Sequence, residues 1–361
     1  MRFAPFTHMA WAKSPAPGIE IDLSRSGLPP CSVADLAAEP TDLDPAEDDG
    51  YGPWPLREAL AARYGVTPEE VLVSVSCTHA LFLAGACLIE PGDRVGVETP
   101  GYQAIRHLPT LFGAEPVPLP RRLEEGWRAD PGRAAEVLRS GARLLVLSDL
   151  HNPTGAALRP EEVVALGEEA DRFGARLLVD EIYNEFLPRG GRPVAHRLHP
   201  RALTVSGATK AFGFGGVRIG WMIAEPEFVR RAYAFNDYVT VLVPSPSARL
   251  ALRLLSNLPR IEGKVASRVA AGREVFDAWL ASEPRVRCTP PAGGIVAFPR
   301  LPEGTGEAAF VEGLASRGRV RVTPGEFFGL PGHVRVGFGG EPDRVREGLR
   351  RLSEALDEGG R

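Results

Sequence analysis

Between about Val71 and Ala224, short apolar runs alternate with helical periodicity, the pattern of an α/β domain with a mainly parallel sheet. Val71-Leu72-Val73-Ser74-Val75 reads as a strand, and Thr78 to Ile89, apolar on most faces, as a buried helix. The turn Pro91-Gly92-Asp93 leads into a second strand over Arg94 to Val97, and Leu144 to Leu147 forms a third. Pro160 opens the next helix, Val163, Val164, Leu166, Ala170 and Phe173 mark its apolar face, and Gly174 stops it. Further strands are predicted over Leu177 to Val179, Ala202 to Val205 and Trp221 to Ala224. Polar motifs fall just after these strands. Ligands of open α/β sheets bind beyond the carboxyl ends of the strands, so the motifs should meet in one crevice.

The flanks read differently. The first ~45 residues are rich in proline and polar residues and lack a clear period. After Pro246 a long helical stretch, Ser247 to Leu280, is expected to kink or break near Pro259. Apolar segments follow at Gly293 to Phe298, Val320 to Val322 and Val334 to Val336, and a charged helix begins near Asp343. The division expected is an N-terminal segment (1–45), a large domain (46–250), and an interdomain helix with a smaller C-terminal α+β domain (251–361) onto which the first segment packs.

Composition narrows the function. A chain of 361 residues can bury a large core and a cleft, and its net charge of −4, with acids and bases interspersed, predicts no nucleic-acid or membrane partner. The four cysteines (Cys31, Cys77, Cys87, Cys288) are far apart and form no Cys-x-x-Cys pair, as expected of reduced thiols in the cytoplasm rather than a disulfide or zinc framework. No histidine spacing suggests a metal site, and no secretory signal or membrane-length apolar run is visible.

Of 42 basic residues only Lys13, Lys210 and Lys264 are lysines, so arginine has taken most positions where a plain positive charge suffices. Lysine, unlike arginine, can lose its proton and form an imine. Lys13 beside Pro15 and Lys264 in a polar helical stretch read as surface charges. Lys210 instead ends an apolar run, in Ser206-Gly207-Ala208-Thr209-Lys210, with Arg218 eight positions on. It points to a Schiff-base lysine.

The other motifs are weak singly. Ser76-Cys77-Thr78 lies where a strand turns into a helix, a place for an anion or simply an N-cap. Glu98-Thr99-Pro100-Gly101-Tyr102 offers an aromatic face or an ordinary turn. His151-Asn152-Pro153-Thr154-Gly155 is a plain turn or a donor at the cleft, and Asp180-Glu181-Ile182-Tyr183 puts an acid at a strand end.

Together and in this order, these motifs resemble the class I/II pyridoxal-phosphate-dependent aminotransferases of fold type I, over roughly Tyr51 to Gly339. The 28-residue step from Asn152 to Asp180 and the eight-residue step from Lys210 to Arg218 carry the likeness. The resemblance implies a large domain with a mainly parallel seven-stranded sheet between helices, a smaller α+β domain, and a homodimer. It implies pyridoxal 5′-phosphate bound to Lys210, with Asp180 on the ring nitrogen, Asn152 and Tyr183 on the phenolic oxygen, and Tyr102 stacked on the ring. Ser76, Cys77, Thr78, Thr209 and Arg218 would hold the phosphate, Lys210 would shuttle the proton, and Arg335 in Val334-Arg335-Val336 would clamp the substrate carboxylate. Gly27, after Ser26, matches a substrate-contacting segment.

Two positions depart from the family. Gly207 stands where a serine often helps bind phosphate, leaving Ser206 or Thr209 as substitutes. Tyr51 stands directly before Gly52, nearer than the family's tyrosine that reaches the partner subunit.

The function expected is ping-pong transfer of an amino group from an L-α-amino acid to a 2-oxo acid. The alternative is another carbanion outcome on the same cofactor: β-elimination as in C–S lyases, replacement or cyclisation. A cofactor-sensing regulator is the third reading, disfavoured by the short segment ahead of the core and the acidic balance. Phe6, His8, Trp11, Phe235 and Tyr238 are candidates for the substrate side-chain pocket, each with packing as the simpler role.

Overall fold

A computed structural model describes residues 4–45, 51–187 and 193–358. The expected boundary between 45 and 46 falls at the edge of residues 46–50, outside the described ones. In chain order, α1 (Thr7–Lys13) and the two-residue strand β1 (Ile21–Asp22) occupy the stretch that showed no period, and α2 (Trp54–Tyr64) follows. Then come β2 (Val71–Ser74), α3 (Cys77–Leu88), β3 (Arg94–Thr99), α4 (Gln103–Leu111), β4 (Glu115–Pro120), α5 (Pro131–Arg139) and β5 (Ala142–Ser148). Next are α6 (Pro160–Arg172), β6 (Arg176–Asp180), α7 (Ala195–Leu198), β7 (Ala202–Gly207), β8 (Gly220–Ile223) and α8 (Pro226–Asn236).

Seven of these strands form one sheet in the order β2-β8-β7-β6-β5-β3-β4, and only β8 runs antiparallel to its neighbours. Central strands covered on both faces must be apolar throughout, as β6 and β7 nearly are. Alternation splits β5 between two cores. Leu144 and Val146 pack with α3 and α4, whereas Leu145 and Leu147 pack with α5 and α6. The α3 helix is apolar on most faces because its Ala80, Leu81, Leu83, Ala84 and Cys87 are all buried. The strand β4, Glu-Pro-Val-Pro-Leu-Pro, lies at the sheet edge, the place where prolines lacking an N–H cost no ladder bond.

The C-terminal part begins with α9 (Ser245–Ser256) and α10 (Leu258–Ser282). The expected interruption is a full break at Asn257, whose side-chain amide donates to the Arg253 and Leu36 carbonyls, with Pro259 in the first turn of α10. There follow β9 (Val296–Ala297), shorter than the apolar run that predicted it, α11 (Glu307–Ser316), β10 (Val320–Arg321), β11 (Thr323–Pro324), β12 (Val334–Gly337) and α12 (Pro342–Glu358). The chain's beginning is fastened here. β1 pairs in parallel with β10, and the Gly337 N–H donates to the Leu23 carbonyl at 2.7 Å. A Cβ at Gly337 would stand 1.9 Å from the Arg25 carbonyl oxygen, so only glycine admits this approach. Among the described residues no helix is long and apolar enough to cross a membrane.

One buried charge pair ties three strands together below the crevice. Glu98 at the end of β3 meets Arg121, one residue past β4, at 2.8 Å with both side chains fully buried. The Ser148 N–H at the end of β5 donates to Glu98 Oε1 at 3.0 Å, joined by its hydroxyl, and Arg121 donates to the Ser148 carbonyl at 3.2 Å. Burial pushes the Glu98 carboxyl up, and Arg121 and Ser148 pull it back down. Removing one partner strands the other in a dry interior. Arg121→Met should therefore destabilise the fold by about 3–5 kcal/mol in denaturant unfolding, and adding Glu98→Gln should recover part of the loss. A single variant as stable as the wild type would remove this pair from the account of the fold.

Candidate active site

Three parallel strands end within two residues of one level. Ser148 of β5 pairs with Asp180 of β6, and Asp180 with Val205 of β7, so the turns after all three open into the same crevice. The start of α3 closes one side. A cavity of about 380 Å³ lies there, bordered by Cys77, Thr78, Tyr102, Asn152, Asp180, Tyr183, Thr209, Lys210 and Arg335 from the main fold and by Gly27 and neighbouring residues of the N-terminal segment.

Lys210 lies half-buried in the turn after β7, and its Nζ donates to Ser26 Oγ at 3.1 Å. Burial and, next, the positive charge of Arg335 push its amine down to about 8, against the opposing pull of Asp180 and Cys77. Asp180 accepts from the Ile182 N–H at 3.1 Å and from the Cys77 thiol at 3.2 Å. Its carboxyl is pushed up by burial and held down by those two bonds and by Lys210. Burial also raises the phenols of Tyr183 and Tyr102. The Tyr183 hydroxyl is buried and has no partner of good hydrogen-bond geometry.

Arg335 on β12 is the second cation of the site, and it is buried. Its guanidinium donates to Asn152 Oδ1 at 3.0 Å, to the Ser24 carbonyl at 2.8 Å and to Thr323 Oγ1 at 3.2 Å, and it lies 5.1 Å from the centre of the Phe328 ring. All three acceptors are neutral. Among the described residues no carboxylate comes within ion-pair distance, and its Nε has no partner. A buried, uncompensated guanidinium awaits an anion.

Ser76 and Arg218 do not border the cavity, although both were expected at the phosphate. Ser76 turns its hydroxyl to cap α3, accepting from the His79 N–H at 3.0 Å. Arg218 is exposed, in a left-handed backbone conformation (φ 56°), and donates to the Gly215 carbonyl in its own turn. Ser206 also points elsewhere, toward Glu185 and the Glu181 carbonyl, because alternation along β7 sends it to the opposite face. Thr209 is the nearby hydroxyl that reaches the cavity. A Cβ at Gly220 would lie 2.3 Å from the Cys77 nitrogen, so this glycine lets β8 pass close under the start of α3, whereas one at Gly207 would meet that nitrogen at an ordinary 3.4 Å.

The residues fit pyridoxal phosphate. The buried Asp180 carboxylate suits a protonated ring nitrogen, the Tyr183 hydroxyl and Asn152 suit a phenolic oxygen, and the depressed amine of Lys210 suits an aldehyde. The N–H groups at the start of α3, with Thr78 and Thr209, suit a phosphate. Ser26 and Gly27 border the cavity, as does His8 alone of the five candidate side-chain residues, but sequence reasoning missed the rest of the N-terminal wall, including Met9, Ala12, Asp22 and Ser24. A short helix inside a proline-rich stretch leaves too few turns for a period to show.

The family model described as aminotransferase class I and II matches residues 24–352. Capreomycidine synthase of Streptomyces vinaceus is 31% identical over 356 residues, covering 93% of this chain and 89% of its own length. A pyridoxal-phosphate-dependent aminotransferase of Streptococcus suis superposes with a TM-score of 0.92 at 25% identity over 99% of both chains. The pyridoxal-phosphate-dependent cyclase OrfR does so with a TM-score of 0.87 at 29% identity, over 99% of this chain and 98% of its own.

The electrostatics of Lys210 can be checked directly. With its amine at about 8, the free base predominates above that pH, and the rate at which apo-protein takes up pyridoxal phosphate should rise through the same range. Arg335→Leu removes a neighbouring positive charge, so the midpoint should move to higher pH. A midpoint that stays put would show that burial alone sets the amine.

Proposed function

The chain belongs to the class I and II aminotransferase family and uses pyridoxal 5′-phosphate, and from that premise we propose that it transfers an amino group from an L-α-amino acid to a 2-oxo acid. The observation that carries the reading is the pair of cations, Arg335 buried and Lys210 half-buried, with different duties. Arg335 has only neutral partners and receives the substrate's α-carboxylate, with Asn152 fixing the guanidinium plane. Lys210, its amine held low by burial and by Arg335, is the base that can take a proton from the substrate Cα. When bound, pyridoxal phosphate supplies the electron sink that makes this proton acidic. The Cys77 thiol steadies the Asp180 carboxylate. With pyridoxal phosphate bound, Asp180 would hold a proton on the ring nitrogen, Tyr102 would cover the ring face, and Lys210 would be the group able to move the Cα proton onward.

A second reading, cyclisation through the same first steps, is favoured by the similarity to capreomycidine synthase and OrfR along nearly the whole chain. Lys210 and Asp180 serve both outcomes. The four free cysteines support the cytoplasm as the compartment.

An exposed apolar face supports a homodimer. Tyr51, Trp54, Val239, Val241 and Leu242 are exposed, and Tyr238 is 91% exposed. Tyr51 packs against Tyr233 with ring centres 5.0 Å apart and planes tilted by 40°, and donates to Asp237 at 3.0 Å, which joins its segment to the 238–242 turn. Paired Val241→Asp and Leu242→Asp substitutions should shift sedimentation from dimer to monomer. A wild-type protein that sediments as a monomer would end the dimer proposal.

The reaction is tested by titrating holoenzyme with a panel of amino acids while watching the cofactor's absorption. Conversion to stable pyridoxamine phosphate, lost in Lys210→Ala, supports the aminotransferase. Retention of the aldehyde form with release of ammonia or a cyclised product points to the second reading. Arg335→Leu should weaken amino-acid binding about 10–100-fold, the loss expected for a charge-assisted contact.

A further inference from the structure

The chemistry proposed above makes no use of His8, the titratable side chain that α1 holds over the cavity. We propose that His8 reads the substrate side chain and selects amino acids that carry a hydrogen-bonding group there, over hydrocarbon ones. This deepens the amino-acid reading of the same cavity and rests on it.

His8 is buried in an aromatic wall. It stacks on Phe327 with ring centres 5.4 Å apart and planes 4° apart, and meets Phe328 at 5.2 Å and Tyr102 at 6.0 Å edge-on. Phenylalanine would pack in that wall as well, without a nitrogen to satisfy. Instead the His8 Nδ1 is buried and has no hydrogen-bond partner, while the residue borders the cavity. A polar atom left unsatisfied in an otherwise apolar wall destabilises the protein, so its presence calls for a group that arrives from outside.

The helix that carries it is held in place. The His8 N–H and the Thr7 hydroxyl both donate to Gln103 Oε1, at 3.0 and 3.2 Å, and the Gln103 amide donates to the Pro5 carbonyl at 3.1 Å. Gln103 directly follows Tyr102, so α1 is referenced to the residue that faces the cofactor ring. On its far side, Arg321 lies 4.0 Å over the Trp11 ring. His8 is therefore a fixed wall group.

Burial, then the charges of Arg335 and Lys210, hold the imidazole neutral, down to about 3. It meets substrate with one donor and one acceptor, suited to a hydroxyl, an amide or a guanidinium. A side-chain carboxylate would seek a cation, and Arg335 and Lys210 already serve the α-carboxylate and the imine. Arg25, at the cavity edge, is paired with Asp22 at 3.3 Å.

The test compares wild-type, His8→Phe and His8→Gln holoenzymes. Dissociation constants are read from the cofactor's spectral change on adding amino acids with hydroxyl, amide or guanidinium side chains, and on adding alanine and leucine. Melting temperatures are measured alongside. His8→Phe should melt no lower than the wild type, yet lose about tenfold of the polar-over-apolar preference. His8→Gln should restore part of it. An unchanged preference with a lower melting temperature would make His8 a packing residue and overturn the proposal, as would tightest wild-type binding by leucine or by an acidic side chain. Binding does not depend on the reaction's outcome. A preserved preference shift without pyridoxamine phosphate would therefore count against transamination while supporting His8; no amino-acid binding at all would overturn both.

Discussion

The register of three neighbouring parallel strands is the constraint on which this molecule depends. By setting Ser148 beside Asp180, and Asp180 beside Val205, it brings Asp180 and the turns carrying Asn152 and Lys210 out on one side of the sheet. A slip of one residue in any of these strands would turn its side chains to the other face and remove one member of the set. The buried Glu98–Arg121 pair guards that register from below, because its hydrogen bonds to Ser148 reach the last residue of β5. It contributes geometry where a hydrophobic pair would contribute only contact.

The site itself is an unbalanced charge distribution. Lys210 and Arg335 present two cations to the cavity, Asp180 is the buried carboxylate among them, Asp22 and Arg25 form an ion pair at the edge, and the rest of the lining is neutral. Such an arrangement costs stability in the empty chain and is relieved by an anionic cofactor and an anionic substrate. Affinity for both then follows from the same imbalance that lowers the Lys210 amine. Catalytic poise and binding are one electrostatic property of the cavity.

Much of this was legible because it is local. Strand–turn–helix alternation gave six of the seven sheet strands, and short motifs at their ends gave Asn152, Asp180, Tyr183 and Lys210. What escaped detection is non-local or aperiodic. The β4 strand hides behind three prolines that only an edge position tolerates. The Glu98–Arg121 contact and the thiol of Cys77 on Asp180 join residues distant in sequence, with no spacing to announce them. Ser206 and Arg218 do not border the cavity: strand alternation turns Ser206 toward Glu185, and Arg218, in a left-handed backbone conformation, is exposed.

The attachment of the N-terminal segment to the C-terminal strands has a consequence for how the enzyme comes into being. Arg321 holds the Trp11 carbonyl across 310 residues of chain, and Arg335 holds the Ser24 carbonyl across 311. On the ribosome, the residues that roof the cavity are therefore made first and find their anchors last. The sheet and its lysine can form while the roof is still unplaced, so the nascent chain passes through a state with the cofactor pocket open to solvent.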